Sequence, residues 1–408
     1  MRELVLGMTL AVALASVAAE QTKGDPSLWR NNKSLWGEQK VFAMTNYNAE
    51  GCSAMMVEGE KYQKRETRFF AYWALPEGAS AAKKVPGIVL VHGGGGSAIA
   101  SWVRTWNRRG YAAIAMDYCG ALPFGGDPAI GGRFRHKYSG PQGWGQYWLA
   151  NEPLTDQWPY HAIAAIIRSH SFLRTRPEVD PKRVGITGIS WGGFLTASVI
   201  GIDDRFAFAA PVYGTGFLYD HSGMTKQMKA YNETGKRWDE LWDPRHFLPA
   251  ADLPVLWSVG ATDHAFRLDS LQRSYDLMKR KPQLAIRKQM WHDHPPVGDP
   301  AEITQFANHY AFGKPNLPVF TLAEVRNGRL RVAWEPNGRK VKSAKLVHTK
   351  STDPDWPKRK YEEQTVPVTG DTAACAVPAG AVLYWMNIET TDGFISSSRH
   401  FTREDLSK

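Results

Sequence analysis

Along this chain short apolar runs alternate with stretches whose apolar residues recur every three or four positions. Ile88-Val89-Leu90-Val91 is a near-continuous apolar run, the signature of a strand covered on both faces. Tyr111 to Met116, Arg183 to Thr187, Phe206 to Val212, Pro254 to Val259 and Ala285 to Met290 repeat the pattern. Between them, Ala162, Ile163, Ile166, Ile167 and Leu173 mark one helix, and Leu268, Leu271, Tyr275 and Met278 another. A last helix is expected from Asp299-Pro300-Ala301-Glu302: Asp299 can cap, Pro300 suits the first helical position and Glu302 can reach back. Ile303, Phe306, Ala307 and Tyr310 supply its apolar stripe. Strands alternating with helices predict an α/β fold with a doubly wound, mostly parallel sheet.

After Gly313-Lys314-Pro315-Asn316-Leu317-Pro318, which reads as a linker, the period changes to two. Leu330, Val332 and Trp334 alternate with Arg329, Arg331 and Ala333, and Val382, Tyr384 and Met386 repeat the alternation. This predicts a small C-terminal antiparallel β-sandwich of fibronectin-III or immunoglobulin type over 319–408, behind a catalytic part over 20–312. At the other end, residues 20 to 60 are polar and dotted with aromatics, and Thr67 to Trp73 has a strand pattern. Two segments, 119–157 and 213–250, are long for loops. In such a sheet, loops at the strands' carboxyl ends build binding sites, so these two are the expected walls.

Arg2, the apolar run Leu4 to Ala15 and the small residues Ser16-Val17-Ala18-Ala19 read as a signal peptide over 1–19, and hence a secreted or periplasmic protein. No later apolar stretch is long enough to span a bilayer. Three scattered cysteines allow one disulfide at most, so stability must come from the core. A net charge of +10 is spread over 408 residues with no nucleic-acid motif. It reads as solvated Lys and Arg, with a weak, salt-dependent attraction to anionic polysaccharide or a cell surface as its one suggestion about partners.

Gly188-Ile189-Ser190-Trp191-Gly192-Gly193 carries the chemistry. It follows the apolar Val184-Gly185-Ile186-Thr187 and leads into a helical Phe194-Leu195-Thr196-Ala197, the context of a nucleophile elbow in the α/β-hydrolase fold. Ser190 is therefore the expected nucleophile. Val91-His92-Gly93-Gly94-Gly95-Gly96 follows the first parallel strand, where closely approaching amides can stabilise an oxyanion. The expected donors are the N–H of Trp191 and one from the glycine run, assigned to Gly94. His92 reads as structural. A serine hydroxyl needs a base and an orienting carboxylate, in the order Ser, Asp, His for this fold. Asp263, in Gly260-Ala261-Thr262-Asp263-His264 after a strand, is the expected acid. Met290-Trp291-His292-Asp293-His294-Pro295-Pro296 offers two histidines. His294 is preferred as base because His292 lies close to the expected strand end; His292 is the alternative. A zinc reading of His264, His292, Asp293 and His294 lacks the usual ligand spacing, so no metal and no cofactor is expected. Trp102, Trp144, Trp148, Trp191 and Trp242 are candidates for sugar stacking.

On these motifs, together with Asp180-Pro181-Lys182-Arg183-Val184-Gly185, residues 65–312 resemble exported serine hydrolases of the dienelactone-hydrolase, acetyl-xylan-esterase and prolyl-oligopeptidase-like α/β-hydrolase group. The resemblance implies a nucleophile at Ser190, an acid at Asp263 and a base at His294. The chain departs from the group in Asp293 before that histidine and Pro295-Pro296 after it, and its nucleophile is serine where dienelactone hydrolases proper use cysteine. The expected activity is cleavage of carboxylic esters, such as acetyl groups on a polysaccharide or a small ester. A serine peptidase and a non-catalytic glycan-binding module are the alternatives. The substrate is the only partner implied, and nothing in the pattern speaks to oligomeric state.

Overall fold

The computed structural model describes residues 23–123 and 135–407, so the expected signal segment lies outside the described residues. The catalytic strands are β1 (Val41–Ala43), β2 (Ser53–Glu58), β3 (Arg68–Ala74), β4 (Val85–Val91), β5 (Ala112–Met116), β6 (Val179–Ile189), β7 (Ala209–Val212), β8 (Leu256–Gly260) and β9 (Gln283–Arg287). They lie side by side in the order 1-2-3-5-4-6-7-8-9, antiparallel as far as the β3–β5 pair and parallel from β5 onward. This is the α/β-hydrolase fold, as the alternating runs imply. Strands β5, β7 and β8 are buried along their whole length, which explains their uninterrupted apolar character.

Helix α1 (Ala100–Arg108) connects β4 to β5, and α2 (Trp158–Arg174) connects β5 to β6 across β4. The two connections run in opposite directions along the sheet, so right-handed crossovers put α1 and α2 on opposite faces. Helix α3 (Trp191–Val199) follows β6 and packs against α2. Helix α4 (Asn232–Trp242) lies within the long segment after β7, and α5 (Leu268–Asp276) joins β8 to β9. Helix α6 (Ala301–Phe312) closes the catalytic part beside α1, with Arg109 paired to Asp299 at 2.7 Å. The poorly patterned start of the chain is anchored on α2. Trp29 is fully buried and donates to the Tyr160 carbonyl (3.0 Å), and the Arg168 guanidinium pairs with Glu60.

The C-terminal strands are β10 (Val319–Arg326), β11 (Arg329–Glu335), β12 (Val341–Thr349), β13 (Glu362–Val366), β14 (Val368–Thr369), β15 (Thr372–Ala376), β16 (Leu383–Thr390), β17 (Ile395–Ser397) and β18 (Phe401–Thr402). Strands 10-11-15-14 form one antiparallel sheet; 17-16-12-13, with β18 beside β16, form the other. Leu330, Val332, Trp334, Leu346, Tyr384 and Met386 fill the space between them. The alternation holds on β11, whereas β16 is buried almost throughout. The reason is that β16 has two covered faces. Tyr384, Met386 and Ile388 look into the sandwich, while Leu383 and Trp385 join the catalytic core.

The second sheet is not a separate unit beyond a linker. It continues the catalytic sheet, because β17 lies antiparallel to β9 at Ser397 and Leu284. Side chains complete this short seam. Ser397 Oγ accepts from the Ile286 N–H (2.7 Å), and Asn387 Nδ2 donates to the Ile286 carbonyl (3.0 Å). The Asn387 oxygen in turn accepts from Ser397 Oγ (2.6 Å) and from the Trp385 indole (2.9 Å). Fully buried Glu302 accepts from Arg287 through both carboxylate oxygens and from the Ile395 N–H (2.9 Å).

Because these groups are buried, removing one partner strands the others. Asn387→Ala is expected to destabilise the protein by about 1–3 kcal/mol, read as a lower urea midpoint at unchanged slope. An unchanged midpoint would mean that the seam contributes nothing to stability.

Candidate active site

Strand β6 ends at Ile189 and α3 begins at Trp191, so the whole reversal falls on Ser190. Its backbone sits at φ 56° and ψ −119°, a conformation that costs roughly 1–3 kcal/mol for a residue with a side chain. The turn holds because neighbouring backbones press on it. A Cβ on Gly188 would lie 2.3 Å from the Gly192 carbonyl oxygen, and one on Gly192 would lie 2.1 Å from that of Val91. The Ser190 N–H donates to the Val212 carbonyl (2.9 Å), and the Phe194 N–H returns to the Ser190 carbonyl (2.9 Å). The two glycines are required by contact, and Ser190 is raised at the carboxyl edge of the sheet.

Asp263 stands on the loop after β8 and is almost fully buried. Its Oδ1 accepts from the N–H groups of Ala265 (2.8 Å) and Phe266 (2.7 Å). Its Oδ2 bonds to His292 Nδ1 at 2.7 Å, and His292 Nε2 meets Ser190 Oγ at 2.7 Å. One imidazole therefore links the carboxylate to the hydroxyl without a gap.

The histidine in that position is His292, whereas the sequence argument preferred His294. The expected strand ran to Met290, which would have left His292 too close to its end. Observed β9 stops at Arg287, where its partner β8 stops at Gly260, and the chain is free by Trp291. His294 lies against the glycine loop. A Cβ on Gly93 would be 3.3 Å from both His294 Nε2 and Ser190 Cβ, and one on Gly96 would be 2.8 Å from that nitrogen.

The glycine run lies beside Ser190. A Cβ on Gly94 would come within 2.5 Å of Trp191 Cδ1 and 3.0 Å of Trp144 Nε1. His92 is buried beneath, stacked on Tyr118 at 4.0 Å, with Nδ1 on the Gly93 carbonyl oxygen (2.7 Å). Asp263, His264 and His292 bring potential ligand atoms within 4.8 Å of one another. Both nitrogens of His292 are occupied by Asp263 and Ser190, however, so this arrangement does not suit an ion. Cys52, Cys119 and Cys375 are buried, and burial pushes the Cys52 thiol up to about 11.

Sequence reasoning missed Tyr213. Its ring stacks on His292 with centroids 4.5 Å apart, and its hydroxyl donates to the Trp291 carbonyl (2.6 Å). Burial pushes its phenol up, so it remains a donor. Tyr213 has a φ of 62° and precedes Gly214, where a Cβ would fall 2.0 Å from Gly193. A tyrosine–glycine pair after a buried strand was the signal available.

Both long segments reach a cleft of about 280 Å³ beside Trp191, lined by Trp144, Gln146, Tyr147 and Trp148 from the first and by Met224 and Gln227 from the second. Trp144 and Trp148 are exposed there. Trp102 and Trp242, also candidates for stacking on sugar, are instead core residues with almost no exposure. Among the described residues no helix is long and apolar enough to cross a membrane.

Comparison with known proteins agrees with this architecture. The acetyl xylan esterase of Paenibacillus sp. R4 superposes with a TM-score of 0.55 at 19% identity, covering 70% of this chain and 94% of that one. Acetyl xylan esterase 1 of Thermoanaerobacterium sp. JW/SL YS485 gives a TM-score of 0.50 at 17% identity, covering 68% and 91%. In sequence, dipeptidyl-peptidase 5 of Porphyromonas gingivalis is 27% identical over 228 residues, which are 50% of this chain and 29% of that protein. The chain thus spans less than a third of the length of the curated relatives it matches. Residues 69–288, more than half of the chain, match the dienelactone hydrolase family, and the protein is a hydrolase belonging to that family.

Proposed function

We propose that the protein is an exported serine esterase that removes acetyl or similar short acyl groups from a polysaccharide or its fragments. The observation that carries this reading is the continuous Asp263–His292–Ser190 chain, with 2.7 Å at each link. Ser190 Oγ attacks the ester carbonyl as His292 Nε2 takes its proton, and the new Oγ–C bond gives a tetrahedral oxyanion. The N–H of Trp191 and one from the Gly93–Gly94 stretch receive that charge, an assignment supported by how closely the glycine loop approaches Ser190 and Trp191. His292 then returns the proton to the departing alkoxide as the C–O bond breaks. Water, deprotonated by the same imidazole, releases the acyl group. Asp263 remains ionised and holds the ring's tautomer.

The sugar part of the reading is supported by the exposed indoles of Trp144 and Trp148, set with two glutamines in the cleft next to Trp191. It is also in keeping with the names of the two structural neighbours. Export rests on the apolar leader alone. Similarity to a dipeptidyl-peptidase favours a second reading, amide cleavage, by the same residues.

Ser190→Ala and His292→Ala are each expected to lower kcat on p-nitrophenyl acetate by about a thousandfold or more with unchanged circular dichroism, and His294→Ala by less than about tenfold. A larger loss in His294→Ala than in His292→Ala would return the base to residue 294. Faster turnover of aminoacyl p-nitroanilides than of acetyl esters would favour the peptidase. Tyr213→Phe keeps the stacked ring but releases the Trp291 carbonyl. Its kcat is expected to fall by roughly three- to thirtyfold with KM unchanged, since the hydroxyl acts by fixing the His292 loop. A KM effect alone would place Tyr213 in substrate binding.

A further inference from the structure

A second, larger opening of about 870 Å³ is lined by His292. One wall is catalytic: Asp263, His264, Trp291 and His292. The other is the 357–361 loop of the C-terminal sandwich, which enters β13. One contact ties that loop to the catalytic part, and a second fixes it within the sandwich, on Trp385 of β16. The Tyr361 hydroxyl donates to the Ala261 carbonyl (3.3 Å) on the loop that carries Asp263, and the Tyr361 ring packs on Trp385 at 5.6 Å.

The sandwich wall is cationic. Lys358, Arg359 and Lys360 are consecutive, and Lys288 faces them from the stretch after β9. Two of these lysines are also paired with carboxylates outside the cleft lining, through solvent-accessible ion pairs that a polyanion can compete for. Glu363 lies between Lys288 (3.8 Å) and Lys345 (3.6 Å), Asp355 pairs with Lys358 (3.0 Å), and Glu362 faces His348 (3.8 Å). Asp353 turns its carboxylate to the Asp355 N–H (2.8 Å), and its carbonyl accepts from Arg359 Nε (2.7 Å). Arg359 is further fixed over the Trp356 ring at 3.9 Å. Among the described residues the only carboxylate lining the cleft is that of Asp263, which is bonded to His292. Opposite the cations, Trp291 is 83% exposed, the most exposed of the large apolar side chains among the described residues. Cations and a bare indole in one cleft, beside His292, match a chain of sugar rings bearing negative groups.

We propose that the C-terminal sandwich completes the substrate site, and that this cleft binds an anionic, carboxylate- or sulfate-bearing polysaccharide from which the ester is removed. The inference rests on the esterase reading for the bond that is cleaved, but not for the binding. Trp291 supplies the stacking platform, Arg359 and Lys360 supply the countercharge, and Lys358 and Lys288 add to it by exchanging their solvent-accessible carboxylate partners for the ligand's. The sandwich is thus a determinant of specificity.

The test is the double variant Lys358→Gln/Lys360→Gln, which spares the structurally engaged Arg359. Its ratio of kcat/KM on partly acetylated polygalacturonate to that on acetylated, uronate-free xylo-oligosaccharides is expected to fall about three- to tenfold, the scale of two exposed charges. In the unmodified protein, salt should raise KM for the anionic substrate and leave the neutral one alone. An unchanged ratio, or equal salt effects on both, would overturn the proposal. A binding arm separates it from the chemistry. Full-length Ser190→Ala should be retarded by non-acetylated polygalacturonate in affinity electrophoresis, and less so when Lys358 and Lys360 are also replaced. Absence of ester turnover by the unmodified protein, with retardation intact, would end the esterase reading and keep the cleft. Absence of retardation, or stronger retardation by polyglutamate, would overturn the polysaccharide assignment.

Discussion

The structure depends on how closely three backbones can approach one another at the top of β6. With side chains at 188 and 192, the turn around Ser190 would open, because the Gly192 and Val91 carbonyl oxygens already occupy that space. The strain at Ser190 is sustained by the same crowding. The serine is clamped between the Val212 carbonyl and the first turn of α3, so its hydroxyl has little freedom in direction. Everything else in the site is arranged around that fixed point: the acid loop after β8, the histidine loop after β9 and the glycine run after β4. Under the proposed esterase reading, a serine held in this way loses little entropy on reaching the substrate, which is the contribution a rigid elbow makes to rate.

How much of this was legible in the sequence depended on whether the determining contacts were local. The elbow was readable because its constraint acts within six residues, and Gly188 and Gly192 record it directly. Asp263 was readable because it follows a strand whose apolar run ends cleanly at Val259. The histidine was not. Where β9 ends is set by its neighbour: the pairing runs from Leu256 with Gln283 to Gly260 with Arg287 and then has no partner. The Ala261 N–H still reaches the Arg287 carbonyl, and beyond that the chain leaves the sheet. Lys288, Gln289 and Met290 continue a pattern that looks like strand, but strand length belongs to the pair. A two-residue choice between His292 and His294 therefore turned on a tertiary fact.

The sandwich makes the same point. Its alternation on β11 was visible because one face of that strand is solvated. Strand β16 alternates in chemistry but not in burial, since Leu383 and Trp385 face the catalytic part while Tyr384 and Met386 face the sandwich core. An Asn at 387 and serines at 396–398 look like a polar, exposed edge. They are buried, and they supply hydrogen bonds where β9 and β17 share only one register position. Polar residues in a strand can thus signal a seam as readily as a surface, and only the partner decides between them.

That seam has a consequence for the site. The sandwich is joined to the catalytic sheet at β9, the strand whose end releases the histidine loop, and Tyr361 reaches the loop of the acid. Both loops that hold the His292–Asp263 pair are therefore next to elements that the sandwich stabilises. A domain tethered only by a flexible linker would present its cations at variable distance from the reacting centre. One welded through Asn387, Ser397 and Glu302 presents them at a fixed distance. Fixed charges interact more strongly than mobile ones, because the ordering entropy has been spent during folding and not at binding. The same buried polar groups that complicate the core thus allow one sheet to carry both the chemistry and a wall of the cleft beside it.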